Sequence, residues 1–63
     1  MSDSTRFELY RDTDGKWRWR FVHRNGNILA DSGEGYSRKT DAKQGIETIK
    51  QHGPEAPVEE TEE

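Results

Sequence analysis

The sequence of 63 residues contains no cysteine, so no disulfide can brace its fold. Its two histidines, His23 and His52, stand far apart with no ligand spacing around them, which argues against a structural metal. Apolar residues are scarce, 27% against 37% charged. No apolar run approaches the about 20 residues that a membrane span needs. Met1–Thr5 is polar and lacks the apolar stretch of a signal peptide, so the expected location is the cytoplasm. A domain this short buries only about 60% of the surface its unfolded chain exposes. It must also offset roughly 1.5 kcal/mol of conformational entropy per ordered residue. Small domains meet that cost with disulfides, a metal or a partner. With the first two excluded, the expected partner is a second copy.

Both prolines lie in residues 54–63, together with five glutamates and one aliphatic side chain larger than alanine, Val58. Such a segment offers little to pack and reads as a disordered acidic tail. Residues 1–5 read as a flexible N-terminus. Between Arg6 and Gly53 stand ten basic and seven acidic side chains, a net +3, although the whole chain carries −3. A mildly basic body thus carries an acidic tail.

Three strands and a helix are legible between those ends. Phe7-Glu8-Leu9-Tyr10 alternates in polarity, and Trp17-Arg18-Trp19-Arg20-Phe21-Val22-His23 sets aromatics against arginines with period two. Ile28-Leu29-Ala30-Asp31 is a third, shorter strand. Asn25-Gly26 suits a two-residue type I′ turn, which pairs Val22 with Leu29, Phe21 with Ala30 and Arg20 with Asp31. The first hairpin has two possible registers through Asp12–Lys16. A two-residue Asp14-Gly15 turn sets Glu8 opposite Phe21. A three-residue loop with Gly15 left-handed pairs Phe7 with Phe21, Glu8 with Arg20 and Leu9 with Trp19. A slip of one residue moves every side chain to the other face, so the polarity pattern selects the three-residue loop.

One sheet face then carries Phe7, Leu9, Trp17, Trp19, Phe21, Ile28 and Ala30, the expected core and dimer residues. The other carries Glu8, Tyr10, Arg18, Arg20, Val22, Leu29 and Asp31. A helix is expected from about Arg38 to His52, capped by Ser37 or by Thr40 as a later start. It ends at Gly53-Pro54. Ala42, Ile46 and Ile49 form one apolar stripe. Gly45 lies beside the stripe, and since a mid-helix glycine costs about 1 kcal/mol against alanine, close backbone packing is its expected reason. One narrow stripe is too small to cover a sheet face with two tryptophans.

The fold class is therefore α+β, a β-β-β-α unit made of an antiparallel meander and one helix over residues 6–53. Phe7-Glu8-Leu9-Tyr10, Trp17-Arg18-Trp19-Arg20, Asn25-Gly26, Gly35-Tyr36 and Ala42-Lys43-Gln44-Gly45-Ile46-Glu47 follow one another in the order seen in YegP-like proteins, which the chain resembles from about residue 6 to residue 52. That is a family of small uncharacterised β3α-repeat proteins, often with two repeats in tandem, and this chain has one. The resemblance implies a homodimer in which two copies form a single six-stranded sheet with exchanged C-terminal helices. It implies no activity. The His-Arg-Asn-Gly-Asn stretch and the glutamate-rich tail are similar to haloarchaeal members, which makes a halophilic source the expectation.

For function the sequence offers two surfaces. Arg18, Arg20, Arg24, Lys16 and Tyr10 could contact a partner or a nucleic-acid backbone, since aromatics and cations together hold single strands. The aromatics and arginines of the second strand point to opposite faces, however, and a cross-strand ladder Glu8–Arg20–Asp31 is the better account of the arginines. Tyr10, Val22 and Leu29 would form a small apolar patch among these charges. Gly33-Glu34-Gly35 lacks a phosphate-loop pattern and reads as a plain turn. No Ser-His-Asp or paired-carboxylate arrangement is visible, so neither an enzyme nor a cofactor is expected. The leading reading is a protein-interaction or structural module. A weak nucleic-acid binder using the outer face is the alternative, and a small-ligand binder or enzyme comes third.

Overall fold

The computed structural model describes residues 4–62. Strands β1 (Arg6–Arg11), β2 (Trp17–Val22) and β3 (Ile28–Asp31) form an antiparallel meander in the order β1-β2-β3. Helix α1 (Lys39–His52) lies across one face, contacting β1 and β2, and a short 3-10 turn, Gly53–Glu55, follows it. Three strands and one helix make an α+β β-β-β-α unit. The expected flexible N-terminus falls mostly on residues 1–3, outside the described residues.

The first hairpin takes the register that the polarity pattern selects: Phe7 opposite Phe21, Glu8 opposite Arg20 and Leu9 opposite Trp19. Its loop is Thr13-Asp14-Gly15, closed by the Asp12 N–H donating to the Lys16 carbonyl at 2.8 Å, with Gly15 at φ 79°. The Asp12 carboxylate holds the loop from inside, accepting the N–H groups of Asp14 and Lys16, each at 2.9 Å. A short polar side chain bonded to nearby backbone in this way favours a turn over a continued strand.

The second hairpin departs from expectation. The His23 N–H donates to the Asn27 carbonyl and the Gly26 N–H to the His23 carbonyl, both at 2.8 Å, so the loop has three residues, Arg24-Asn25-Gly26. Gly26 has φ 96° while Asn25 stays at negative φ, which excludes the type I′ turn. Side-chain acceptors again favour the longer loop: Asn25 Oδ1 takes the Asn27 N–H at 2.9 Å, and His23 Nδ1 takes the Asn25 N–H at 3.2 Å. Val22 therefore pairs with Ile28 rather than Leu29. A bulge between Phe21 and Val22 then restores Phe21 opposite Ala30 and Arg20 opposite Asp31. The extra loop residue moves the register by one and the bulge moves it back, so Phe21 and Ala30 share a face.

One face assignment changes as a result, and one residue is more buried than expected. Ile28, expected in the core, shares a face with its partner Val22 and is 58% exposed. Val22, expected on the exposed outer patch, lies on the central strand between Arg6 and Ile28 and is 5% exposed. The patch of Tyr10, Val22 and Leu29 accordingly does not form.

The helix starts at Lys39. Its N-cap is Arg38, without a side-chain cap bond, so neither Ser37 nor Thr40 caps it. At its end Gly53 is right-handed (φ −61°, ψ −44°) and donates to the Ile49 carbonyl, so the helix tightens into the 3-10 turn instead of ending on a left-handed glycine. Gly45 does serve close packing: a methyl group there would stand 3.2 Å from Trp19 Nε1 and 3.3 Å from the Tyr36 hydroxyl. Tyr36 also extends the sheet, exchanging two backbone hydrogen bonds of 2.8 Å with Trp17.

The core that results is small. Among the described residues the buried apolar side chains are Trp19, Val22 and Ala42. Phe7, Leu9, Trp17, Phe21 and Ile46 are half-buried, and Ile49 is 40% exposed. The helix covers the Trp17–Trp19 end of the sheet but does not reach β3.

Candidate functional site

Of the arginines singled out in the sequence, Arg18 and Arg20 are already engaged. Glu8 accepts from Arg20 Nε at 2.8 Å and from Arg6 Nη2 at 2.7 Å, and the Arg20 guanidinium lies 4.7 Å from the Tyr10 ring centroid. Arg18 Nε donates to Asp12 Oδ2 at 2.6 Å. Asp31 is not part of the ladder: its Oδ1 accepts the Gly33 N–H at 2.9 Å, which starts the turn out of β3. Lys16 and Arg24 remain exposed, at opposite ends of β2, roughly 25 Å apart at the usual rise per strand residue. The five residues Arg18, Arg20, Arg24, Lys16 and Tyr10 are thus not gathered into one cationic site. A charged neutralised face of this kind is a poor phosphate track, since counterion release requires free cations.

These ion pairs predict an acid dependence. The Arg20 and Arg6 guanidiniums hold the Glu8 carboxyl below its ordinary value of 4.5, and Arg18 with the Lys16 and Asp14 N–H groups holds Asp12 below 3.8. A carboxyl whose folded value is depressed contributes stability that is complete above its unfolded value and is lost as pH falls through the folded one. The urea midpoint is therefore expected to hold from pH 7 to pH 5 and to fall below about pH 4. Glu8→Gln should lower the midpoint at pH 7 and flatten that acid slope. An unchanged slope in both Glu8→Gln and Asp12→Asn would show that other groups govern acid unfolding.

The core face presents the more distinctive feature, and sequence reasoning missed its outline. Beyond the reach of Ala42 and Ile46, the helix and sheet diverge around an open cavity of about 550 Å³. Phe7, Trp19, Phe21 and Ala30 of the sheet line it, with Ile49, Lys50, Gly53 and Pro54 from the end of the helix. The Phe7 ring meets Trp19 edge-on at 5.6 Å and Phe21 at 4.7 Å between centroids, so the aromatic wall is ordered by its own contacts. The scarcity of apolar residues signalled an incomplete core. What no residue pattern marked is that the deficit would gather at the C-terminal end of the helix.

Other candidates are bland in the structure. At the other end of the core face, Arg11 and Lys39 lie 5.6 and 5.3 Å from the Trp17 ring centroid, where a helix residue and a cross-strand neighbour cover an aromatic. Gly35 packs against the Lys16 side chain, as a turn between sheet and helix requires. No group of three or more His, Cys, Asp or Glu among the described residues could hold a metal ion, and no helix is long and apolar enough to cross a membrane.

Fold and site together define a single small β-β-β-α domain with a charge-paired outer face and an unclosed apolar inner face. Residues 12–60 match the family described as a domain of unknown function (DUF1508), and the chain belongs to that family. It is 46% identical over 55 residues to the UPF0339 protein Msl4696 of Mesorhizobium japonicum, a match covering 87% of this chain and 91% of the relative. A UPF0339 protein of Methanosarcina acetivorans is 39% identical over 54 residues, covering 86% and 91%. A UPF0339 protein of Stutzerimonas stutzeri is 37% identical over 49 residues, but the match spans only 43% of its length. Among solved structures, the NMR structure of a protein from Haloferax volcanii is 56% identical with a TM-score of 0.85, covering 94% of this chain and 98% of that one. The family is of unknown function, and no specific biochemical function follows from membership.

Proposed function

We propose that the chain works as a small cytoplasmic homodimer, a protein-interaction or structural module whose core is completed by a second copy. The observation that carries this reading is the open cavity of about 550 Å³, bounded by half-buried Phe7 and Phe21 and by Ile49 at 40% exposure. An apolar wall of this kind left in water forgoes roughly 25 cal/mol per Å² that burial would return. In a domain with three buried apolar side chains among its described residues, that loss is large against the marginal stability of small folds.

The edges of the sheet indicate how copies would join. β3 has four residues and a bulge, a device that protects an edge from further pairing. β1 has six residues in unbroken register. By the antiparallel alternation, the backbone groups of Phe7, Leu9 and Arg11 point away from β2 toward a missing neighbour. Joining two copies along β1 gives one six-stranded sheet and makes the two aromatic walls continuous. Exchange of the helices, the finer form of this arrangement, would remake the contacts of Ala42 and Gly45 between copies with identical partners. The Stutzerimonas relative, more than half of which lies outside its match, has room for a second unit within one chain.

Light scattering on the purified chain tests the proposal, at low and at molar salt. A mass of two chains at both salts is the expected result. A folded single chain at both would overturn it.

A further inference from the structure

Unpaired positive charge gathers at the end of the sheet opposite the cavity. Among the described residues, Arg6 and Arg20 pair with Glu8, Arg18 with Asp12, Arg38 with Asp41 and Lys50 with Glu47. Arg11, Lys16, Lys39 and Lys43 are exposed and pair with no carboxylate among those residues. Two of them flank Trp17. Arg11 is its cross-strand partner, with the guanidinium carbon 5.6 Å from the ring centroid, and Lys39 holds its ammonium 5.3 Å away. Lys43 follows Lys39 by four residues and so stands one turn further along the same side of the helix. Lys16 precedes Trp17, and its stem packs along Gly35. Each contact with the ring is an ordinary one; the missing carboxylates are what set this end apart. Asp41 and Asp12 are engaged by other arginines, and Asp14 and Glu34, on the adjoining loops, pair with none of the four. Lysines near a helix N-terminus also oppose its dipole, which favours acids there. Like charges gathered in this way lower stability, and nothing within the chain offsets the cost.

We propose that this end of the molecule binds the backbone of single-stranded nucleic acid, with Arg11, Lys39 and Lys43 on phosphates and Trp17 against a base. Charge complementarity selects an anionic polymer. The aromatic ring set among the cations selects a nucleic acid over an acidic peptide, because bases stack on aromatic faces and on guanidinium planes and carboxylates do not. Trp17 is half-buried, so part of its ring stays accessible. Lys39 covers that ring only with an exposed ammonium, a weak contact in water. A base can displace it while the lysine moves to a phosphate. The outer face cannot serve in this way, because Glu8 and Asp12 already neutralise its arginines, and counterion release requires free cations. Backbone contacts of this kind position a strand without reading its sequence. Binding here does not require a second copy, since Arg11, Trp17 and Lys39 meet within one chain.

The test titrates a fluorescein-labelled oligothymidylate of about 12 nucleotides, a common site size for one small domain, with the full chain. Anisotropy is followed over a series of salt concentrations. Three phosphate contacts predict that log K falls against log salt with a slope of about −2, about 0.7 for each phosphate. The double variant Lys39→Gln with Lys43→Gln should bind about tenfold or more weakly at low salt, with a slope of about −0.7. Both lysines are exposed on the helix, so the variant keeps its fold, which circular dichroism checks. Arg24→Gln removes the unpaired cation at the other end of β2 and should leave affinity and slope unchanged. In the NMR spectrum of the wild-type chain, the Trp17 indole N–H signal should shift on addition of the oligonucleotide. No binding at low salt would overturn the proposal. Equal losses in Arg24→Gln and the lysine double variant would show only diffuse attraction and overturn it too. Polyglutamate that displaces the oligonucleotide at equal charge concentration would assign this end to an acidic peptide and overturn the nucleic-acid reading.

Discussion

Trp19→Ala is expected to lower the stability of the chain by about 3–5 kcal/mol, as large-to-small replacement of a buried aromatic does. Domains of this length have roughly 3–9 kcal/mol in total at the usual value per residue. The variant should therefore be largely unfolded at room temperature by circular dichroism. Trp19 is 5% exposed, sits on the central strand, meets Phe7 edge-on and lies directly beneath Gly45 of the helix. Its removal uncouples helix from sheet, and the three-residue core has nothing to collapse into the space. Trp19→Phe should cost much less. The indole N–H is buried with no acceptor among the described residues, and a buried donor left unpaired costs about 1–3 kcal/mol, which phenylalanine avoids. A Trp19→Ala chain with an unchanged urea midpoint would show that this sheet face is not the core.

Gly35→Ala is the second large effect, expected at about 1–3 kcal/mol. A methyl group at Gly35 would stand 2.6 Å from Lys16 Cβ and 3.0 Å from its Cγ. The near atom is the root of a side chain at the start of β2, so it cannot swing aside, and the strand or the turn must move. The neighbouring residue Tyr36 is tied to Trp17 by two backbone hydrogen bonds, which leaves the turn little freedom. Gly35 needs no positive φ, so the cost is one of space alone. Gly33, at φ 75° with nothing near its missing side chain, isolates the other cause. Urea midpoints for both alanine variants separate them: an unaffected Gly35→Ala would mean that Lys16 and Gly35 do not pack closely.

How far the sequence could be read differs between the two hairpins. In the first, Phe7, Leu9, Trp19 and Phe21 share a face in only one register, so burial selects the loop length, and Gly15 at φ 79° confirms it. In the second, Asn25-Gly26 satisfies a two-residue turn and also a three-residue turn with Gly26 left-handed. Both place Phe21 opposite Ala30, provided that a bulge absorbs the extra residue. The decision lay in the Asn25 and His23 acceptors, which are visible only once the chain has turned. Ile28 joins Val22 on the other face for that reason, whereas the face of Val22 itself is the one the polarity pattern assigns. The arginine ladder was half legible: Glu8 opposite Arg20 follows from register, whereas Asp31 was drawn to the Gly33 N–H by the local geometry of a turn.

By itself the sequence determined the order of three strands and a helix, the face on which the aromatics lie, and the shortage of apolar side chains that leaves a single unit underfilled. Those properties are local or compositional: period two assigns faces, period 3.6 assigns a stripe, and counting measures the core. Only the tertiary structure decided that the helix lies over the Trp17–Trp19 end, that Glu8 and Asp12 neutralise the outer arginines, and that the uncovered wall is Phe7, Phe21, Ala30 and Ile49. One helix can cover only part of a three-stranded sheet. Which part stays open depends on its point of entry, set here by the Tyr36 bridge to Trp17 and the close approach of Gly45 to Trp19.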